Sequence, residues 1–224
     1  MRKSFYNWIE SKSDDRMFYV IRGLPGAGKS TTAKKILEKL GGSPDGHVFS
    51  TDSYWTPESR KLRRAGQYVP PEDEKAEYRK NWDGEKIGKA HESNKAEFRL
   101  AVDNGVTPLV LDNVNTRRQD FKSYAEYADK AGYEIRIVEP ESEWWKANAH
   151  LLKDKKEHAR EIDKFAELLC KKTQHGVPLS TIKRMIQRWQ PTLTVEDVLG
   201  REPTPKHKRT GAPNKKRVEK KDKK

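Results

Sequence analysis

Apolar and polar positions along the chain repeat with two different periods. Met17-Phe18-Tyr19-Val20-Ile21-Arg22 is a β-rich run ending at Gly23, and it predicts a first strand. From Ser30 to Leu40, Ala33, Ile36, Leu37 and Leu40 share one helical face, and Gly41-Gly42 ends the pattern. Val48 to Ser50 predicts a short second strand. A helical period returns near Asp83 and runs to Asp103, with Ile87, Ala90, Phe98, Ala101 and Val102. Thr107 to Leu111 is a continuous apolar strand ending at Asp112. Next come a helix from Arg118 to Ala131, a turn at Gly132 and a strand from Tyr133 to Val138. Two further helices are predicted, over about Lys155–Lys172 and Leu179–Trp189. In the second, Ile182, Met185, Ile186 and Trp189 fall at i, i+3, i+4 and i+7, the spacing of one buried stripe. Ser4 to Glu10 reads as a turn of helix.

Strands alternating with helices imply a parallel sheet covered on both faces. Residues 55–83 break the alternation. They are polar, contain Pro57 and Pro70-Pro71, and read as an insertion.

Charge divides the chain. The 224 residues carry a net charge of +13. Residues 201–224 hold 11 Lys and Arg against three acids, so +8 of that total sits in the last 24 residues. Their composition cannot build a core, and a disordered basic tail is expected from 201. Residues 1–200 are expected to form one folded domain. Cys170 is the sole cysteine, which excludes an intrachain disulfide and argues against a cysteine-built zinc site. The chain has neither an apolar run long enough to span a bilayer nor an apolar secretory leader, so a cytoplasmic setting is expected.

The chemistry starts at Gly23-Leu24-Pro25-Gly26-Ala27-Gly28-Lys29-Ser30, which fits G-x-x-x-x-G-K-[ST]. Glycines let backbone N–H groups turn inward around anionic oxygens, and the next helix points its positive end at them. Lys29 can reach the outer phosphates, and the Ser30 hydroxyl can ligate Mg²⁺. A predicted strand before and helix after supply the context this motif needs. The bland alternative is a glycine-rich turn without function. The loop implies a nucleoside triphosphate with Mg²⁺ but no particular reaction.

Two carboxylates follow strands. Asp52 comes after Val48–Ser50 and is a candidate general base; Asp112 ends the strand at Leu111 and is a candidate Mg²⁺ ligand. Asp52 also reads as a helix cap, and Asp112 as a turn residue. His91 and Asn94 lie three apart on one helix face, either pointing at an acceptor or paired structurally. Tyr54, Trp55, Tyr68, Tyr78 and Trp82 cluster around the insertion, as base-stacking rings or as packing.

Taken together, Gly23–Thr31, Ser50–Tyr54, Ala90–Asn94, Asp112-Asn113-Val114-Asn115-Thr116, Glu139-Pro140 with Trp144-Trp145, and His175-Gly176-Val177-Pro178 resemble the polynucleotide-kinase group of P-loop kinases. The nearest subgroup is the kinase domain of a ubiquitin-ligase-binding eukaryotic protein with its phage and bacterial relatives. The resemblance covers about residues 16–190. It implies an α/β P-loop NTPase fold, a parallel sheet flanked by helices with a helical lid over about 153–178. It further implies transfer of the γ-phosphoryl group of ATP to a nucleic-acid hydroxyl, usually a 5′-hydroxyl. By the resemblance, Gly23 to Thr31 bind ATP, Asp52 is the base, and Lys171 and Lys172 stand in for lid arginines, Lys171 toward ATP and Lys172 toward catalysis. Ser53, Tyr54, Trp55, His91, Asn94, Asn113 and Asn115 fall on the acceptor side. Some positions depart from the pattern. Lysines replace arginine in the lid, which keeps the charge and loses the bidentate fork. Ser53 stands where a second Asp is common, Trp55 near the place of a substrate-contacting Arg, and Val114 in place of Thr.

The leading expectation is therefore an ATP- and Mg²⁺-dependent kinase of a 5′-hydroxyl end, with nucleic acid as partner and DNA favoured over RNA. Alternative readings are a kinase of a hydroxymethylated base such as 5-hydroxymethyluracil in DNA, as in phage base hypermodification, a nucleoside or small-molecule kinase, and an ATP-binding module without catalysis. In a phage protein the setting would be the host cytoplasm.

Overall fold

A computed structural model describes residues 16–173 and 176–202. The predicted turn at Ser4–Glu10, Gln174, His175 and nearly all of the basic tail lie outside the described residues. The elements are β1 (Met17–Ile21), α1 (Lys29–Leu40), α2 (Pro44–His47), β2 (Val48–Phe49), α3 (Pro57–Arg64), α4 (Pro71–Asn81), α5 (Ile87–Asp103), β3 (Leu109–Leu111), α6 (Arg118–Lys130), β4 (Glu134–Val138), α7 (Glu143–Asn148), α8 (Ala159–Lys172), α9 (Leu179–Arg188) and α10 (Val195–Leu199). Short 3₁₀ turns cover Thr51–Trp55, Gly84–Lys86 and Ala149–Leu152.

The four strands form one parallel sheet in the order β2-β3-β1-β4. All five residues of β1 are buried, because both faces of the sheet are covered. Phe18 and Val20 point to one side, with Phe49, Leu109 and Leu111, against Phe98 of α5 and Phe121, Tyr124 and Ala125 of α6. Met17, Tyr19 and Ile21 point to the other, against Ala33, Ile36 and Leu37 of α1. This two-sided alternation is the period of a strand. A third cluster joins Leu24 and Ala27 of the glycine-rich loop to Trp145, Phe165, Leu169, Ile182, Ile186 and Trp189. The stripe expected on the last long helix is thus buried, and it packs toward the loop.

The polar stretch 55–83 is more ordered than its composition suggests. It folds as the last residue of a 3₁₀ turn and two helices, α3 and α4, each opening on a proline at its first turn. Glu72, Asp73 and Glu74 sit at the start of α4, and Arg79 and Lys80 at its end, favouring the helix dipole. Ion pairs hold the pair of helices in place, from Arg63 to Asp45 and Glu74 and from Arg60 to Glu97.

Candidate functional site

Parallel strands deliver their C-terminal ends to one edge of the sheet, where open α/β sheets collect ligands. The glycine-rich loop follows β1, Asp112 follows β3, and Asp52 lies three residues beyond β2. Register brings these ends together: Val20 pairs with Leu111 and Phe49 with Leu111, and the Asp112 amide donates to the Phe49 carbonyl at 2.9 Å.

The loop is a closed turn. The Ala27 amide donates to Leu24 O at 3.0 Å, and the Gly23 amide to Val114 O at 3.2 Å. Gly26 has φ +79° and Gly28 φ +94°, a left-handed conformation that a side chain would strain. A Cβ on Gly26 would also stand 2.8 Å from the Leu169 carbonyl and 3.0 Å from Lys172 Cβ, so the end of α8 lies directly on the loop. Gly28 caps α1, whose first residues are Lys29 and Ser30. Lys29 Nζ donates back to Leu24 O at 3.4 Å. Thr31 is exposed beside them.

Asp112 is 8% exposed, and its Oδ1 is buried with no hydrogen-bond partner. Burial pushes its carboxyl above the ordinary value, while the Lys29 cation and a hydrogen bond with Ser30 oppose the shift and the charge of Asp52 adds to it. One carboxylate thus sits within electrostatic reach of the cradle lysine and of the second carboxylate. An orphaned carboxylate oxygen next to the Ser30 hydroxyl fits a hard cation that takes one or two protein oxygens and completes its shell from phosphate and water. Among the described residues, no group of three or more His, Cys, Asp or Glu forms a protein-only metal cage.

Asp52 is exposed on the 3₁₀ turn Thr51–Trp55. That turn is held by residues from four other places. Ser50 Oγ accepts from the Asp52 amide (3.3 Å), and Asn113 Oδ1 from the Thr51 amide (2.9 Å). Thr51 Oγ1 meets His91 Nδ1 at 3.3 Å. Tyr78 OH donates to Asp52 Oδ1 at 3.2 Å, and Asn81 Nδ2 to Trp55 O at 3.0 Å. Partial burial and Lys95 hold the His91 imidazole below its ordinary value.

The structure redistributes the acceptor-side candidates. Ser53 and Tyr54 are half-buried next to Asp52, and the Tyr54 ring meets Trp55 edge-on at 4.8 Å. Trp55 is 2% exposed, a packing position. Asn94 is 6% exposed and donates to Tyr124 OH at 3.1 Å, so it is turned away from His91 and into the core. Asn115 is 2% exposed, with φ +51°, and its amide donates to Ile21 O at 2.8 Å. These three side chains are covered in this structure. Asn113 braces the Asp52 turn. Lys171 and Lys172 end α8; both are exposed, and Lys172 Nζ lies 5.1 Å from the centroid of the Trp144 ring.

Sequence reasoning missed Arg22, which is 1% exposed directly before the loop. Its guanidinium donates to the carbonyls of Asn115 (3.0 Å), Thr116 (3.3 Å) and Gln190, and stacks on Trp189 at 4.4 Å. The residue that follows β1 therefore ties the loop after β3 to the segment just beyond α9. The signal was an arginine closing an otherwise apolar strand, a position that demands partners once both faces are covered.

With this geometry in place, comparison with known proteins decides the family. A sequence profile described as AAA domain matches residues 18–192. The chain belongs to that family. Its P-loop kinase-like character agrees with the loop and with the parallel four-stranded sheet flanked by helices. Human NEDD4-binding protein 2 is 28% identical over 180 residues, which is 80% of this chain and 8% of that protein. YLP motif-containing protein 1 of Rattus norvegicus is 29% identical over 163 residues, 68% of this chain and 11% of its own length. The 2′,3′-cyclic-nucleotide 3′-phosphodiesterase of Pongo abelii is 26% identical over 161 residues, 71% of this chain and 32% of its own length. The chain thus spans less than a third of each of these relatives. Among the described residues, no helix is long and apolar enough to cross a membrane.

Proposed function

We propose that this protein transfers the γ-phosphoryl group of ATP to a hydroxyl of nucleic acid, with a 5′-hydroxyl end of DNA as the leading acceptor. The observation that carries the reading is the meeting of Lys29, Asp112 and Asp52 at one edge of the sheet, where Asp112 feels both other charges. The loop amides and Lys29 hold the phosphates. Asp52 takes the proton of the acceptor hydroxyl as its oxygen bonds to the γ-phosphorus and the bond to the ADP oxygen breaks. Lys171 and Lys172, on the helix that lies against Gly26, bring cations to the transferring group as parts of a lid. Ser30 and Asp112 would hold Mg²⁺, which supplies charge neutralisation across the outer phosphates. A relative named for action on a 2′,3′-cyclic nucleotide supports a nucleotide acceptor over a small alcohol.

The test offers [γ-³²P]ATP and three acceptors: a 5′-hydroxyl oligonucleotide, a duplex containing 5-hydroxymethyluracil, and free nucleosides. Label on the oligonucleotide supports the reading. Label confined to the duplex base or to nucleosides moves the acceptor, and label on none of them despite ATP binding leaves a binding module. The basic tail tethers the phosphate backbone by counterion release. Truncation after Gly200 is expected to flatten the salt dependence of DNA binding, and an unchanged slope removes the tail from that role.

A further inference from the structure

The role of the helical pair α3–α4 is open. It carries no loop motif, and α4 has no fully buried residue. Among its polar contacts, two converge on one target. Glu77, Tyr78 and Asn81 project from about one turn of α4, with Tyr78 and Asn81 three apart and so on one face. Glu77 receives the backbone amides of Glu58 (2.8 Å) and Ser59 (2.9 Å) and the Ser59 hydroxyl, which fixes the start of α3. Asn81 holds the Trp55 carbonyl, and Tyr78 holds Asp52 Oδ1. One face of α4 therefore grips the Asp52-bearing turn at both ends.

We infer that Tyr78 is a positioning residue for Asp52, and that the α3–α4 pair serves as the clamp that aims this carboxylate. The inference rests on Asp52 acting as the base. The phenol donates to Oδ1, so the acceptor proton falls to Oδ2, and the carboxylate loses rotation about its last bond. An exposed aspartate on a short turn samples several rotamers, and a misplaced base loses rate steeply. Burial, the Asp52 charge and the hydrogen bond itself all push the Tyr78 phenol above its ordinary value, so it stays a donor and does not compete for the proton. The Arg63 pairs with Asp45 and Glu74 and the Arg60 pair with Glu97 connect the clamp to α2 and α5, so Tyr78 is anchored at its own base.

The experiment compares Tyr78→Phe, Glu77→Gln, Asp52→Asn and the double variant Tyr78→Phe/Asp52→Asn in the full chain, with a 5′-hydroxyl oligonucleotide as acceptor. Tyr78→Phe is expected to lower kcat roughly tenfold, with KM for ATP and for the oligonucleotide within about twofold and the melting temperature unchanged. Glu77→Gln, which loosens α3 without touching Asp52, is expected to lower the melting temperature more than kcat. Added to Asp52→Asn, the Tyr78 change is expected to bring no further loss, since its effect runs through the missing carboxylate. Full kcat in Tyr78→Phe beside a crippled Asp52→Asn overturns the inference, as does a loss that multiplies in full on top of Asp52→Asn. Full kcat in Asp52→Asn alone refutes the base itself, a separate failure read from a separate variant.

Discussion

The phosphate cradle and the Asp52 turn lie at the same edge of the sheet and are built in opposite ways. The cradle is contiguous: eight residues in a row, with two left-handed glycines and a helix start, supply its shape. The Asp52 turn is short, exposes its aspartate and is held by side chains from Ser50, α4, α5 and the loop after β3. A contiguous site stands or falls with its own residues. An assembled site can be weakened from several distant places without the loss of any reacting group.

The sharpest way to break this comparison is to damage each side separately. On the proposed reading, Lys29→Ala is expected to lower transfer by about 10²–10³-fold and to raise KM for ATP, since a lysine in this role would hold the ground-state phosphates and meet the growing charge of the transition state more strongly still. Asp52→Asn is expected to lower kcat by roughly 10²–10⁴-fold with KM for ATP nearly unchanged. Steady-state kinetics on both variants decides the matter: equal KM changes would mean that the two regions are not separable. The next effect falls on stability. Arg22→Met takes the guanidinium from the Asn115 and Gln190 carbonyls and from Glu139, while Thr116 keeps the Gln190 amide; a cost of about 3 kcal/mol and a calorimetric melting temperature roughly 10 °C lower are expected. A drop of about 1 °C would show that Arg22 does not join the cradle strand to α9.

The smallest effect tests the brace at His91. Its folded value is depressed, so below the ordinary 6.5 the unfolded chain binds more protons than the folded one. His91 therefore contributes stability that is present above 6.5 and lost as pH falls through the depressed value. In His91→Asn this acid-side loss is expected to shrink by about 1 °C across the same window, measured by melting at a series of pH values. Parallel pH curves for the two proteins would remove His91 as the titrating group.

Legibility followed the kind of interaction involved. The strands and the helices α1, α5, α6, α8 and α9 were readable because each buries an apolar face, and only their ends differ by a few residues. In sequence the helices α3 and α4 look like a polar insertion, because their contacts are ion pairs and hydrogen bonds, which leave no hydrophobic period. Pro57 and Pro71 at first-turn positions and the acids that open α4 were the available signals. Short α7 and α10 escaped for want of length, although Thr194 and Asp197 form a capping box. Within the site, residue type did not report direction. Asn94 and His91 share a helix, yet one turns to Tyr124 and the other to Thr51.

Sequence alone determined the cradle, the parallel α/β order and the two carboxylates after strands, since a loop of fixed spacing and a periodic apolar face are local properties. Tertiary structure alone decided which polar residues face the cradle and which support it. The grip of Tyr78 on Asp52 spans 26 positions, and that of Arg22 on Gln190 spans 168. A polar side chain has no period that announces its partner, so such pairings emerge only when packing brings distant segments within hydrogen-bond reach.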